Sequence, residues 1–136
     1  KKIKQFTELR KKYVSMYDQA FAGVLELETL AVRNYAISAH HIYIIALHLE
    51  CLTIDRDGFL DAIQSAGIGV AVHYIALHLQ PYFVKNFHTK PQDFPVASSY
   101  SERVISLPLY PKMSSADVER VIKKVKDLVK KFSRSN

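Results

Sequence analysis

The sequence predicts an α/β fold, with helices packed on a small sheet of about three strands. Three features point there. Each end of the chain carries an apolar stripe of helical period. Short β-branched and aromatic runs lie between the stripes, and glycine, proline and capping residues mark the boundaries. A chain of 136 residues fits one domain and can bury roughly two-thirds of its unfolded surface. Its 49% hydrophobic and 24% charged content is that of an ordinary globular protein.

The elements follow in order. Ile3, Phe6, Leu9, Tyr13, Met16, Tyr17 and Ala20 recur at spacings of three and four, predicting a helix that Gly23 stops. Residues 26–38 read as a polar link. Residues 39–49, AHHIYIIALHL, are apolar on both alternations, as in a strand covered on both faces. Asp55 caps a second helix, with Ile54 and Phe59 placed to staple its entry, and Gly67 ends it. Val70 to Tyr74 reads as a second strand. His78 to Phe87 forms a short helix, since Pro81 is tolerated in a first turn. After Pro91 and Pro95 a helical stretch covers residues 97–103, and residues 104–109 form the third strand. Ser114 and Asp117 open the last helix, Met113 staples onto Val118, and an apolar stripe runs from Val118 to Phe132.

Composition narrows the function classes. Residues 1–12 carry six basic and one acidic side chain, and residues 120–136 carry seven and one. These read as solvated faces of amphipathic helices, so no nucleic-acid or membrane partner is expected. No apolar run approaches the ~20 residues of a membrane helix, and the charged start does not resemble a signal peptide. The single Cys51 has no internal disulfide partner, which is compatible with a cytoplasmic location. A chain that begins at Lys1 reads as a cut within a longer reading frame.

Candidate chemistry is sparse. His40 and His41 are adjacent on the expected first strand, where neighbours face opposite sides and do not share an ion. His73 and His78 lack any zinc-binding spacing, so no metal site is expected. No serine sits in a GxSxG elbow, and Gly67 with Gly69 makes no phosphate loop. Cys51, just after an apolar run, reads as a small hydrophobe. His73 and Tyr74 end an apolar segment immediately before a loop, where a scaffold can present polar groups to a ligand. For His73 a second role stands open, that of a histidine bonding loop backbone at a domain junction.

Two stretches, GIGVAVHYIALHLQP (residues 67–81) and SLPLYP (residues 106–111), carry a resemblance. They resemble the C-terminal small domain of the DegT/DnrJ/EryC1/StrS family of pyridoxal-phosphate (PLP) aminotransferases acting on nucleotide-linked keto-sugars. The resemblance extends over five segments and nearly the whole chain. It implies that residues 1–25 form a linker helix to a missing N-terminal large domain and residues 26–136 the small domain. It also implies that His73 and Tyr74 face the active-site cleft as substrate-binding residues. Gln80, in the HLQP match, could donate to the ligand or orient the loop. His41 and Tyr43 match the family's H-x-aromatic at the first strand, in a packing role, and Ser106 to Pro108 form core and a shaped turn. Two positions depart from the family's usual residues: Ala76 replaces a frequent proline, and Ser98 a frequent glutamate.

The implied parent binds PLP and moves an amino group, with glutamate as donor, to a keto-deoxysugar nucleotide for surface-glycan or antibiotic-sugar synthesis. It works as a homodimer. None of the thirteen lysines follows an apolar strand in a sheltered context, so the Schiff-base lysine is expected in the missing domain. This chain then holds no catalytic residue, binds no cofactor itself and is inert alone. The rival reading is a free-standing α/β module whose basic helices contact RNA or an acidic partner. The strands here end in histidine or proline and lack the aromatic pattern of an RNA-binding sheet.

Overall fold

Helix α1 (Lys2–Phe21) ends before Gly23, whose φ of +79° is a left-handed conformation that costs glycine little. The computed structural model describes residues 2–134. Strands β1 (Leu27–Thr29), β2 (Tyr43–Leu47) and β3 (Val104–Leu107) make an antiparallel sheet in the order β1-β2-β3. Leu27 pairs with Leu47, Tyr43 with Leu107 and Ile45 with Ile105. The long excursion from β2 to β3 holds α2 (Arg56–Ser65), α3 (Pro81–Phe87) and α4 (Pro95–Arg103). Helix α5 (Ser115–Phe132) closes the fold.

Local chemistry explains the boundaries. The Asp55 side chain accepts the Gly58 N–H at 2.8 Å to start α2, and Gly67 ends it at φ +77°. Pro81 occupies the first turn of α3, where its missing N–H has no intrahelical partner to lose. Ser114 and Asp117 form a capping box at α5.

The period of two along the strands separates two layers. Tyr43, Ile45 and Leu47 of β2 and Ile105 and Leu107 of β3 join the main core. Tyr13, Tyr17 and Phe21 of α1, Phe59 and Ile63 of α2, and Val118, Val121, Val125 and Val129 of α5 complete it. Ala46 and Val104, equally buried, lie outside that cluster, and α4 packs across β2. Tyr17 and Tyr43 rings meet at 4.6 Å. Their hydroxyls are satisfied outward: Tyr17 donates to the Pro108 carbonyl at 2.9 Å, and Tyr43 to Asp18 at 2.7 Å. Burial, then the Asp18 acceptor, pushes the Tyr43 phenol far above its ordinary pKa, so it stays a donor.

The sheet has the expected size but different members. Residues 27–29 of the expected polar link form β1. The first predicted strand contracts to Tyr43–Leu47, which leaves His40 at φ +46° and exposed His41 ahead of it. The third stops at Leu107. Val70 to Tyr74 is not a strand: it touches β3 through one bridge, Ala71 with Ser106. The neighbouring reciprocal pairs cannot form there. Gly69 would face Pro108, which has no N–H, and His73 would face Val104, whose N–H already donates to Tyr100.

The core and the α5 cap make separable stability predictions. Phe59→Ala, at a fully buried site, should cost about 3–5 kcal/mol, and Ser114→Ala about 1 kcal/mol. Urea titrations followed by circular dichroism would check the ranking; equal losses would contradict it.

Candidate functional site

The three residues singled out from sequence share one loop, residues 73–80. Ile68 and Val70 are buried and point inward, Gly69 and Ala71 outward, and after the single bridge to β3 the chain leaves the sheet at His73. His73 is half-buried. Its Nδ1 is shielded from solvent and has no hydrogen-bond partner among the described residues. Its ring meets the Tyr74 ring edge-on at 4.9 Å, across a cis peptide bond, and Tyr74 is 77% exposed. Gln80 closes the loop from its far end, its amide nitrogen 3.4 Å from the Ile75 carbonyl.

Helix α4 fastens this loop. Ala76 donates its N–H to Ser101 Oγ at 3.0 Å. The buried His78 ring lies 2.8 Å from Ser98 Oγ through Nε2, and packs on Phe94 at 4.9 Å. Ser98 donates in turn to the Pro91 carbonyl at 2.9 Å, and Thr89 donates to the His78 carbonyl at 2.7 Å. The other side of α4 is tied to β1. Glu28 Oε1 accepts from Tyr100 at 2.8 Å and from Arg103 at 2.9 Å, and the guanidinium sits 4.4 Å above the Tyr100 ring. The Tyr100 hydrogen bond, then Arg103, holds the Glu28 carboxyl below its ordinary pKa despite some desolvation.

Sequence reasoning did not assign Ser98 and Ser101 a role. Their only signal is two serines three apart in a short helix. The two departures from the family pattern meet here as well. Ala76 supplies an N–H that proline lacks, and Ser98 bonds the His78 ring.

A groove of about 800 Å³ lies elsewhere, between α1 and residues 29–44. Leu30, Val32, Ile37 and Ile42 line it, together with His40, and its Asp18 is engaged by Tyr43. Its lining mixes these aliphatic side chains with the charged Glu8, Lys11 and Asp18. Among the described residues no cluster of His, Cys, Asp and Glu could hold a metal. No described lysine is buried. Among the same residues no helix is long and apolar enough to cross a membrane.

The antiparallel three-stranded sheet with its covering helices matches part of the fold of solved aminotransferases. The DegT/DnrJ/EryC1/StrS aminotransferase family matches residues 1–126, and the chain belongs to that family. It is 36% identical over 129 residues to protein MJ1066 of Methanocaldococcus jannaschii, whose role is uncharacterised, covering 95% of this chain and 33% of that protein. It is 35% identical over 131 residues to the spore coat polysaccharide biosynthesis protein SpsC of Bacillus subtilis, covering 96% and 34%. Among solved structures, Spr1654 of Streptococcus pneumoniae, assigned as a sugar aminotransferase, superposes in its apo form with a TM-score of 0.83 at 28% identity, covering 95% of this chain and 32% of that one. Its PLP form gives 0.82 at 31% identity, covering 93% and 32%. The chain thus spans about a third of the length of the relatives it matches.

Glu28 makes a pH-dependent contribution whose sign follows from its lowered pKa. The contribution is present above the unfolded carboxyl value and is lost as pH falls through the folded one. Glu28→Gln should therefore lower Tm at neutral pH, and the gap to wild type should close in acid. A pH series of thermal melts measures this; a gap that widens in acid would contradict the assignment.

Proposed function

We propose that this chain is the C-terminal small domain of a PLP-dependent aminotransferase that transfers an amino group from glutamate to a nucleotide-linked keto-deoxysugar. The product enters surface-glycan or antibiotic-sugar synthesis. Residues 1–25 serve as the linker helix to an N-terminal large domain and residues 26–136 as the small domain, in a cytoplasmic homodimer. The observation that carries the reading is the loop of residues 73–80. It presents His73, Tyr74 and Gln80 at the edge of a chain that spans a third of its family relatives. SpsC is named for polysaccharide biosynthesis, and Spr1654 has been solved in PLP and PMP forms, which supports the substrate class and the cofactor.

The division of labour follows from the residues present. PLP, when bound, supplies the electron sink for moving an amino group. No described lysine is buried, so this chain does not fit the role of anchoring it. The anchor and the phosphate cradle belong to the large domain, and the small domain alone is inert. Its own task is to wall the cleft. With Nδ1 of His73 shielded, Nε2 is the ring nitrogen left to meet the sugar nucleotide. The exposed Tyr74 hydroxyl can donate beside it. Gln80, turned onto the loop backbone at a long 3.4 Å, can exchange that contact for a ligand oxygen.

Sequencing the reading frame upstream of Lys1 tests the whole reading. The expected result is a large domain with a lysine just after an apolar strand; an unrelated domain or an immediate start codon would overturn it. The isolated 136-residue chain should leave the PLP absorption spectrum unchanged and show no transamination, whereas turnover by it would contradict the division of labour. In the full-length enzyme, His73→Ala should raise KM for the sugar nucleotide about tenfold with kcat within about twofold, the pattern of lost binding. An equal drop in kcat alone would instead assign His73 a role in the chemical step.

A further inference from the structure

Two serines on α4, one helical turn apart, are both buried. Serine is a poorer helix former than alanine, and a buried hydroxyl must be matched. Neither therefore serves α4 itself. Both hydroxyls instead receive donors from the loop that follows His73: Ser101 from the Ala76 N–H at 3.0 Å, Ser98 from the His78 ring at 2.8 Å.

The proton inventory fixes the direction of the second bond. Ser98 has one hydroxyl proton, and it goes to the Pro91 carbonyl at 2.9 Å. Its oxygen can then only accept from His78, so Nε2 of His78 carries the hydrogen. Phe94 packs against the ring, and Thr89 holds the His78 carbonyl at 2.7 Å. The loop is thus pinned at residues 76 and 78, between Tyr74 on one flank and Gln80 on the other. Helix α4 is itself fixed to β1 by the Tyr100 and Arg103 bonds to Glu28.

We propose that Ser98 and Ser101 are positioning residues for sugar-nucleotide binding, holding the pose of His73, Tyr74 and Gln80 without touching the ligand. This rests on the reading of that loop as the substrate wall. On this assignment the serines serve the sugar-nucleotide half-reaction alone, and the donor half-reaction is the control. The two half-reactions therefore respond differently to loss of the serines.

Two measurements test it. In the 136-residue chain, NMR should show a slowly exchanging His78 Nε2 proton and a protected Ala76 amide. Ser98→Ala should abolish the first and Ser101→Ala should speed exchange of the second about tenfold or more. The Tm should fall by a few degrees, because the donor left unmatched in the interior outweighs the gain in helix propensity. Ser98→Thr and Ser101→Thr, which keep the hydroxyl, should restore both signals. In the full-length enzyme, the double alanine variant should raise KM for the sugar nucleotide on the order of ten- to a hundredfold, with the donor half-reaction unchanged. Alanine variants whose Ala76 amide and His78 proton match wild type would overturn the proposal, as would a parallel fall in both half-reactions. A wild-type full-length protein without transamination would overturn the proposed function instead, and the NMR outcome would still decide whether the serines hold the loop.

Discussion

The outer edge of β3 can hold one partner residue. Val104 donates its N–H back into α4, and Pro108 has none to give, so only Ser106 is open for a reciprocal pair with Ala71. The apolar segment of residues 68–72 is therefore held at one point, with Ile68 and Val70 seated in the core. One bridge fixes where the chain docks and lets it leave the sheet two residues later. His73 and Tyr74 occupy that departure point, half-buried and exposed respectively. A fourth full strand would have carried both into the ladder and away from any ligand.

Helix α4 converts that departure into a defined loop. One set of its side chains, Tyr100 and Arg103, reaches Glu28 on β1, and the other, Ser98 and Ser101, reaches the loop. A short edge strand is thus tied through α4 to the loop on the other side of that helix. The charge-assisted contact to Glu28 outweighs a neutral bond of the same geometry, which suits a tether between two otherwise thinly packed elements.

Apolar side chains remain uncovered in two places. Leu30, Val32 and Ile37 border the groove beside α1, and Tyr74 and Leu77 lie within the loop of residues 73–80, with Tyr82 just beyond it. Patches of this kind mark interaction surfaces. The lysines of α5, by contrast, leave its buried valine stripe on one face and charge on the other.

Much of this architecture was legible in the residues. The valine stripe of α5 with its Ser114 capping box, Asp55, Gly67 and Pro81 all act where their chemistry places them, because caps, stripes and left-handed glycines are local. The resemblance placed His73, Tyr74 and Gln80 together by motif, and they do share one loop. What local reasoning could not supply was pairing. β1 is three residues long within a polar stretch and is a strand only because Ala46 and its neighbours face it. Residues 70–74 have the composition of a strand but lack available partners along β3. Ser98 and Ser101 carry no motif at all, since their role exists only once α4 lies beneath the loop. The sequence by itself determined the helices, their ends and the family motifs, through interactions within a few residues. Only the tertiary structure decided which backbone N–H groups were already committed, and so where the sheet ends and the site loop begins.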